Sequence, residues 1–212
     1  MNVEVASGLR GAAFILALGA RSAAAGGTTY VVDPARSEVA IHVGRAGLLK
    51  FAGHEHVVLA PGLKGEVQAD PSDLGRSSVS LALDATALKV SEAGEPPEDV
   101  PKVQARMVGP ELLDVVHFPS VTFRSTKLEG REAAMGIYDL SITGELTLHG
   151  VIRSTVLAMR VEVSGDTLMA IGSLVVRHSD FGLTPVSVAG VVKVKNEIAI
   201  DFRIEATART QR

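Results

Sequence analysis

Two short segments concentrate the side chains best suited to chemistry. His54-Glu55-His56 sets two imidazoles two residues apart. Positions so spaced on an extended strand share a side, and a third ligand beside them would complete a metal site. His42 is not an obvious third, because it alternates with Val39, Ile41 and Val43 and so points away from their apolar face. Equally, His54 and His56 suit hydrogen bonds to backbone or Glu partners at a barrel mouth, or contacts to the head group of a ligand. Arg177-His178-Ser179-Asp180 holds the residue types of a hydrolytic triad. Neighbours on an extended chain point apart, however, and cannot assemble Ser-His-Asp geometry. The chain has no G-x-S-x-G elbow and no G-x-G-x-x-G or phosphate loop. His149, just before Gly150, is expected at solvent or a turn, and Glu111, Asp114 and the charges from Glu95 to Asp99 read as solvated loop. No catalytic residue is selected, no cofactor is implied, and the chain reads as a non-enzyme.

The elements that must position these residues are strands. Ile198, Ile200, Phe202, Ile204 and Ala206 alternate with Glu197, Ala199, Asp201, Arg203 and Glu205, so one face is apolar and the other mostly charged. The same period occurs at Val39 to Val43, Val79 to Leu83, Ile142 to Leu148 and Leu157 to Val163. So many one-sided strands predict antiparallel pairing around one interior. A turn is expected at Asp33-Pro34 and hairpin turns at Gly165-Asp166 and Lys195-Asn196. Long strands are expected over Ser120–Leu128, Tyr138–His149, Thr155–Ser164 and Thr167–Arg177, with separate ones over Val186–Val194 and Glu197–Ala206. Between Ser91 and Phe118 the pattern changes to an acidic, Pro-rich loop followed by helical spacing at Val100, Val103, Met107 and Leu112. The expectation is an all-β, antiparallel fold, either a sandwich or a barrel of about eight strands, with a short helical insert that would cap one end of a barrel.

Composition excludes several functions. The net charge is −3 and the basic residues are dispersed, which argues against a nucleic-acid partner. Aromatics are 4% of 212 residues and Trp is absent, so the interior must be filled by aliphatic groups. Cys is absent, and the fold must hold by packing alone. Residues 1–25 carry Arg10, an apolar run from Gly11 to Ala20 and Ala23-Ala24-Ala25, the pattern of a signal peptide that would export the protein to the periplasm. That run is too short to span a bilayer, and no transmembrane segment follows. The barrel domain is expected over residues 29–208. An exposed edge at an imperfectly closed barrel would favour a homodimer.

Four segments in order also resemble blocks of the YceI-like family of lipid-binding proteins: Tyr30-Val31-Val32-Asp33-Pro34-Ala35-Arg36-Ser37, Phe118 to Thr126, Gly144 to Val151, and Asp180-Phe181-Gly182-Leu183. The region around Gly53-His54-Glu55-His56 is similar to a His-x-His subgroup, whereas Val100 to Val116 departs from the family's usual charged stretch. The resemblance implies a lipocalin-like periplasmic barrel that encloses an isoprenoid or another amphiphile, such as a quinone or a fatty-acyl lipid. It implies no catalysis. On that reading Leu48, Leu49, Phe51, Phe118, Phe123 and Phe181 are expected near the lining, with His54 and His56 as polar contacts. A metal-binding protein or metalloenzyme using His54 and His56 is the alternative, and a self-filled structural barrel is a third.

Overall fold

The computed structural model describes residues 27–46, 56–93, 96–184, 187–188 and 192–209. The leader read over residues 1–25 lies outside them. The strands are β1 (Thr28–Val32), β2 (Glu38–Ala46), β3 (His56–Leu59), β4 (Lys64–Ala69), β5 (Ser78–Asp84), β6 (Lys89–Val90), β7 (Ser120–Ala134), β8 (Ile137–Leu148), β9 (Val151–Ser164), β10 (Thr167–Arg177), β11 (Ser187–Val188) and β12 (Val192–Ala208). One helix, α1 (Val100–Val108), falls between β6 and β7.

All pairings are antiparallel, and the ring runs β1-β4-β5-β7-β8-β9-β10-β12 and back to β1. Beyond β1, the same edge of β12 pairs with β2, which leads on to β3 and β6. The registers explain this branch. Val32 pairs with Ala206 and Glu38 with Arg203, so β1 and β2 are two halves of one ribbon along β12. In the same way β3 continues into β4 and β5 into β6. Eight ribbons close the barrel, three of them bent, as the alternation predicts.

Local chemistry accounts for the first bend. Proline cannot supply a ladder N–H, and the Asp33 carboxylate accepts the Ala35 N–H at 2.9 Å, turning the chain where the sequence predicts. Ser37 then ties the bend to β12: its hydroxyl accepts the Glu205 N–H at 3.1 Å and donates to the Glu205 carbonyl at 3.3 Å. The Glu205 carboxylate is held between Arg36 at 2.5 Å and Arg203 at 2.8 Å.

One turn expectation is corrected. Lys195-Asn196 is not a hairpin, because β12 runs unbroken from Val192 to Ala208 and only its register against β2 shifts between Val194 and Ile198. Ser187 and Val188 pair with Lys193 and Val192, so the reversal comes earlier in the chain. Asn196 is a bulge residue instead. Its side-chain oxygen accepts the Ser179 N–H at 3.0 Å and its amide donates to the Ser179 hydroxyl at 2.9 Å. Strand β7 also outruns its apolar pattern, since Glu129, Gly130 and Arg131 still pair with Ser141, Leu140 and Asp139. Backbone bonds carry a ladder through polar residues that alternation cannot flag.

The insert caps one end, as expected. Pro101 lies in the first turn of α1, where a missing N–H costs nothing, and Met107 is the buried residue of the helix. Strand β6 would otherwise leave a bare edge on its outer side. Gln104 of α1 satisfies it: its side-chain oxygen accepts the Val90 N–H at 2.8 Å and its amide donates to the Leu88 carbonyl at 2.9 Å. One glutamine thus replaces a strand, which both protects the edge and fixes the helix. We expect Gln104→Leu to lower stability by about 1–3 kcal/mol, since two part-buried backbone groups lose their partners. Urea unfolding checks this, and an unchanged midpoint would show that water replaces the side chain freely.

Candidate functional site

The inward positions of the ring enclose a cavity of about 290 Å³. That lies just below the range of roughly 300–1,000 Å³ found for small-molecule sites. Its wall is aliphatic along almost its whole length. Val39 and Ile41 of β2, Leu81 of β5, Ile142 and Leu146 of β8, Leu157 and Val161 of β9, Ala170 and Leu174 of β10, and Ile200 and Ile204 of β12 all face it. Met107, Leu112 and Leu113 close the end beneath α1. Among the described residues, Phe123 and Phe202 are the phenylalanines on the wall. Small residues make room for both: a Cβ on Gly144 would stand 2.4 Å from the Phe123 ring, and one on Gly172 would stand 2.7 Å from the Phe202 ring.

Polar groups sit near the two ends. Away from α1 the wall includes Asp70, Ser77 and Tyr138. Asp70 is occupied by its own turn, accepting the Ser72 N–H at 3.1 Å and the Ser72 hydroxyl at 2.5 Å and pairing with Arg76 at 3.5 Å. The Ser72 hydroxyl bond is the main cause holding the Asp70 carboxyl below its ordinary range. Burial raises the Tyr138 hydroxyl, and Glu132 adds to the effect. Toward the α1 end, His178 is 5% exposed and lines the cavity. Its Nδ1 lies 3.3 Å from the Lys195 carbonyl oxygen. Burial holds its imidazole below the ordinary value, partly offset by the carbonyls of Lys195 and Asn196. Among the described wall residues there is no Lys or Arg.

The residues singled out in the sequence divide by position. Phe123 is on the wall. Phe181 is 2% exposed but packs beside the wall with Val176, Leu183 and Ile198. Phe118 lies off the wall and tilts against His149 with ring centres 4.3 Å apart. His149 occupies a turn with φ of 51°, as read. His42 points outward to Asp201, with Nε2 to Oδ2 at 3.3 Å. Leu48, Leu49, Phe51 and His54 lie outside the described residues, as does the side chain of His56. Among the described residues no three His, Asp or Glu side chains converge as a metal site would require.

His178 is the wall residue that motif reasoning passed over. The signal was present, because Leu168, Ala170, Gly172, Leu174 and Val176 alternate inward and His178 continues their parity past the end of β10. Ser179 and Asp180 are exposed while His178 is buried, and the three stand in the short 3-10 turn at His178–Phe181 rather than on an extended strand. Among the described residues no helix is long and apolar enough to cross a membrane.

A closed antiparallel ring around an enclosed aliphatic space defines a calyx-type barrel, whose interior can withdraw an apolar chain from water. The YceI-like domain model matches residues 30–206, and the chain belongs to that family. Solved structures share the fold at low identity. BcnA of Burkholderia cenocepacia is 21% identical, with a TM-score of 0.63 over 83% of this chain and 99% of that one. A polyisoprenoid-binding domain from Saccharophagus degradans, implicated in plant cell wall breakdown, is 15% identical, with a TM-score of 0.60 over 86% and 99%. A YceI protein of Campylobacter jejuni is 14% identical, with a TM-score of 0.55 over 73% and 85%. None of the curated proteins matches the sequence significantly.

The state of His178 has a measurable consequence. Above its ordinary value of 6.5 the imidazole is neutral whether the chain is folded or not. Below it the unfolded chain binds the proton while the folded chain resists, so the unfolded state holds more protons and stability falls with falling pH. We expect the urea midpoint of the unmodified protein to drop relative to that of His178→Phe between about pH 7.5 and about pH 5. Parallel curves would mean that the buried imidazole takes up its proton without cost.

Proposed function

We propose that this chain binds one long-chain isoprenoid or other amphiphilic lipid inside its barrel, without catalysing a reaction, and that it serves as a carrier or store. The observation that carries this reading is the enclosed aliphatic cavity, whose wall bears no cation among the described residues and no nucleophile paired with a base. Each CH₂ moved from water into such a space contributes about 0.8 kcal/mol. Affinity therefore needs chain length rather than special residues. The likeness to a domain described as polyisoprenoid-binding supports an isoprenoid. A quinone or fatty-acyl tail fits the same wall.

The face polarity supports a water-soluble carrier over a membrane pore. Membrane barrels turn their apolar residues outward. Here Arg203 and Glu205 of β12 lie on the opposite face from Phe202 and Ile204, which turn inward. In the proposal the leader at residues 1–25 directs export to the periplasm and residues 29–208 form the working domain. Phe123 is the proposed aromatic contact, with Phe118 and Phe181 as supports behind the wall. Leu48, Leu49, Phe51, His54 and His56 are proposed contacts on the strength of the sequence.

Native mass spectrometry of detergent-free protein from its own cells tests the reading. The expected result is one added mass of several hundred daltons that extracts into organic solvent. A metal increment would favour a site at His54 and His56, and a bare polypeptide that takes up no added lipid would sink the proposal. Ala170, 6% exposed in mid-wall, allows a second check. Ala170→Phe should cut lipid uptake at least about tenfold by filling the space, at a stability cost of about 1–3 kcal/mol. Undiminished uptake in the folded variant would place the ligand elsewhere.

A further inference from the structure

We propose that the barrel takes up and releases its ligand sideways, through a split between β9 and β10, rather than through either end. The proposal rests on the lipid-binding reading above and names the path by which an apolar chain reaches that interior.

The registers place the split. Strand β10 pairs with β12 along its whole length, from Thr167 to Arg177, but with β9 only from Thr167 to Ser173. On its other side β9 pairs with β8 as far as Val151. Continued, the register between β9 and β10 would set Leu174 opposite Leu157, Val175 opposite Val156 and Arg177 opposite Ser154, yet these described residues do not pair. The hairpin before β9 shows which backbone groups this leaves at the edge. His149 and Gly150, with φ of 51° and 71°, form a two-residue turn, which makes Leu148 and Val151 a hydrogen-bonded pair. The alternate residues Ile152, Ser154 and Val156 therefore direct their N–H and C=O groups at the split. The Ile152 carbonyl accepts an N–H of the Arg153 guanidinium at 3.0 Å in place of a strand.

Side chains fill the opening. The turn at His178–Phe181 touches β9 and β10 alike. Phe181 and Leu183 share one apolar cluster with Val151 of β9 and with Leu174 and Val176 of β10. Such a wedge yields more readily than a ladder. Opening a paired seam breaks several backbone bonds at about 0.5–1.5 kcal/mol each, whereas here only side-chain packing has to shift.

The apolar lining continues through the split to the outer surface. Leu157, Leu174 and Val176 belong to the cavity wall. On the outward faces of the same strands stand Ile152 and Val156 of β9 and Ile171 and Val175 of β10, each between 48% and 65% exposed. The neighbouring strand β12 instead turns Glu197, Asp201 and Arg203 to water. Exposed apolar side chains gathered on one face mark a contact surface, and these form the lips of the split and the surface beside it. The ends offer an apolar chain less. Met107, Leu112 and Leu113 cover one of them beneath α1, which Gln104 fixes to the β6 edge. The other carries the charged turn of Asp70 with Arg76.

The test follows uptake and release of two fluorescent probes, retinol and cis-parinaric acid, by delipidated full-length protein in stopped flow. The chain has no cysteine, so Val156→Cys with Val175→Cys can staple the split on oxidation. Ser141→Cys with Ala158→Cys, on the intact seam between β8 and β9, serves as the control. The staple across the split should slow uptake and release together by at least about tenfold and keep the dissociation constant within about threefold, since a closed path acts on both rates alike. Reduction should restore both rates, and the control staple should change neither. Val156→Asp with Val175→Asp gives the same test without a cross-link, because a chain in transit would have to strip water from the carboxylates, and the same slowing is expected. Unchanged rates in the stapled protein or in the aspartate pair overturn the proposal. A dimer of the unmodified protein that the aspartate pair disperses would assign the lips to a second copy and overturn it as well. If the unmodified protein takes up neither probe, the lipid reading itself falls, an outcome distinct from uptake at a rate the split does not control.

Discussion

Every interior contact in the barrel depends on β12 having partners along both of its edges. One edge runs beside β10 from Glu197 to Thr207; the other takes β2 and then β1. Without that double pairing, the inward faces of the first and last ribbons would open to water. The bend between β1 and β2 must therefore be held on the seam itself, and Ser37 holds it through both backbone groups of Glu205. The carboxylate of Glu205 is placed where a charge is tolerated, because Arg36 and Arg203 flank it. Closure through β12 removes the free edges of the first and last ribbons, while β10 pairs with β9 only from Thr167 to Ser173. The short β6 edge is covered by Gln104.

A closed ring of eight ribbons has a circumference that short aliphatic side chains only partly fill. Large rings could fill it, but aromatics are 4% of the sequence and few of them face inward. The space is thus a consequence of strand number and side-chain volume together, not of a special motif. Gly144 and Gly172 refine it by letting Phe123 and Phe202 lie close against the sheet. An interior of this kind binds by exclusion of water, and its selectivity has to come from length and from the few polar atoms near its ends.

Much of this was legible in the chain. Alternation at residues 198–206 identified β12 and its inward face, Asp33-Pro34 marked a bend, and the change of period after Ser91 marked α1. Those signals are local, and backbone geometry enforces them locally. The failures came where a local signal had two outcomes. Lys195-Asn196 has turn chemistry, yet Asn196 spends its amide on Ser179, and the strand passes through as a bulge. His178 was read through its neighbours Ser179 and Asp180, when the parity of β10 already pointed it inward.

The amino-acid order by itself determined that antiparallel strands share one apolar interior, because a period of two leaves a one-sided strand only a common core in which to hide its face. It also determined that the interior is aliphatic and held together without disulfides, since composition allows nothing else. The tertiary structure alone decided that the ring closes through β12, that α1 covers the β6 edge, and that a buried imidazole stands in the wall with one nitrogen committed to a backbone carbonyl. Those outcomes join residues far apart in the chain, such as Ser37 with Glu205 and Gln104 with Val90. Their partners are chosen by ring geometry, which no local stretch of sequence contains.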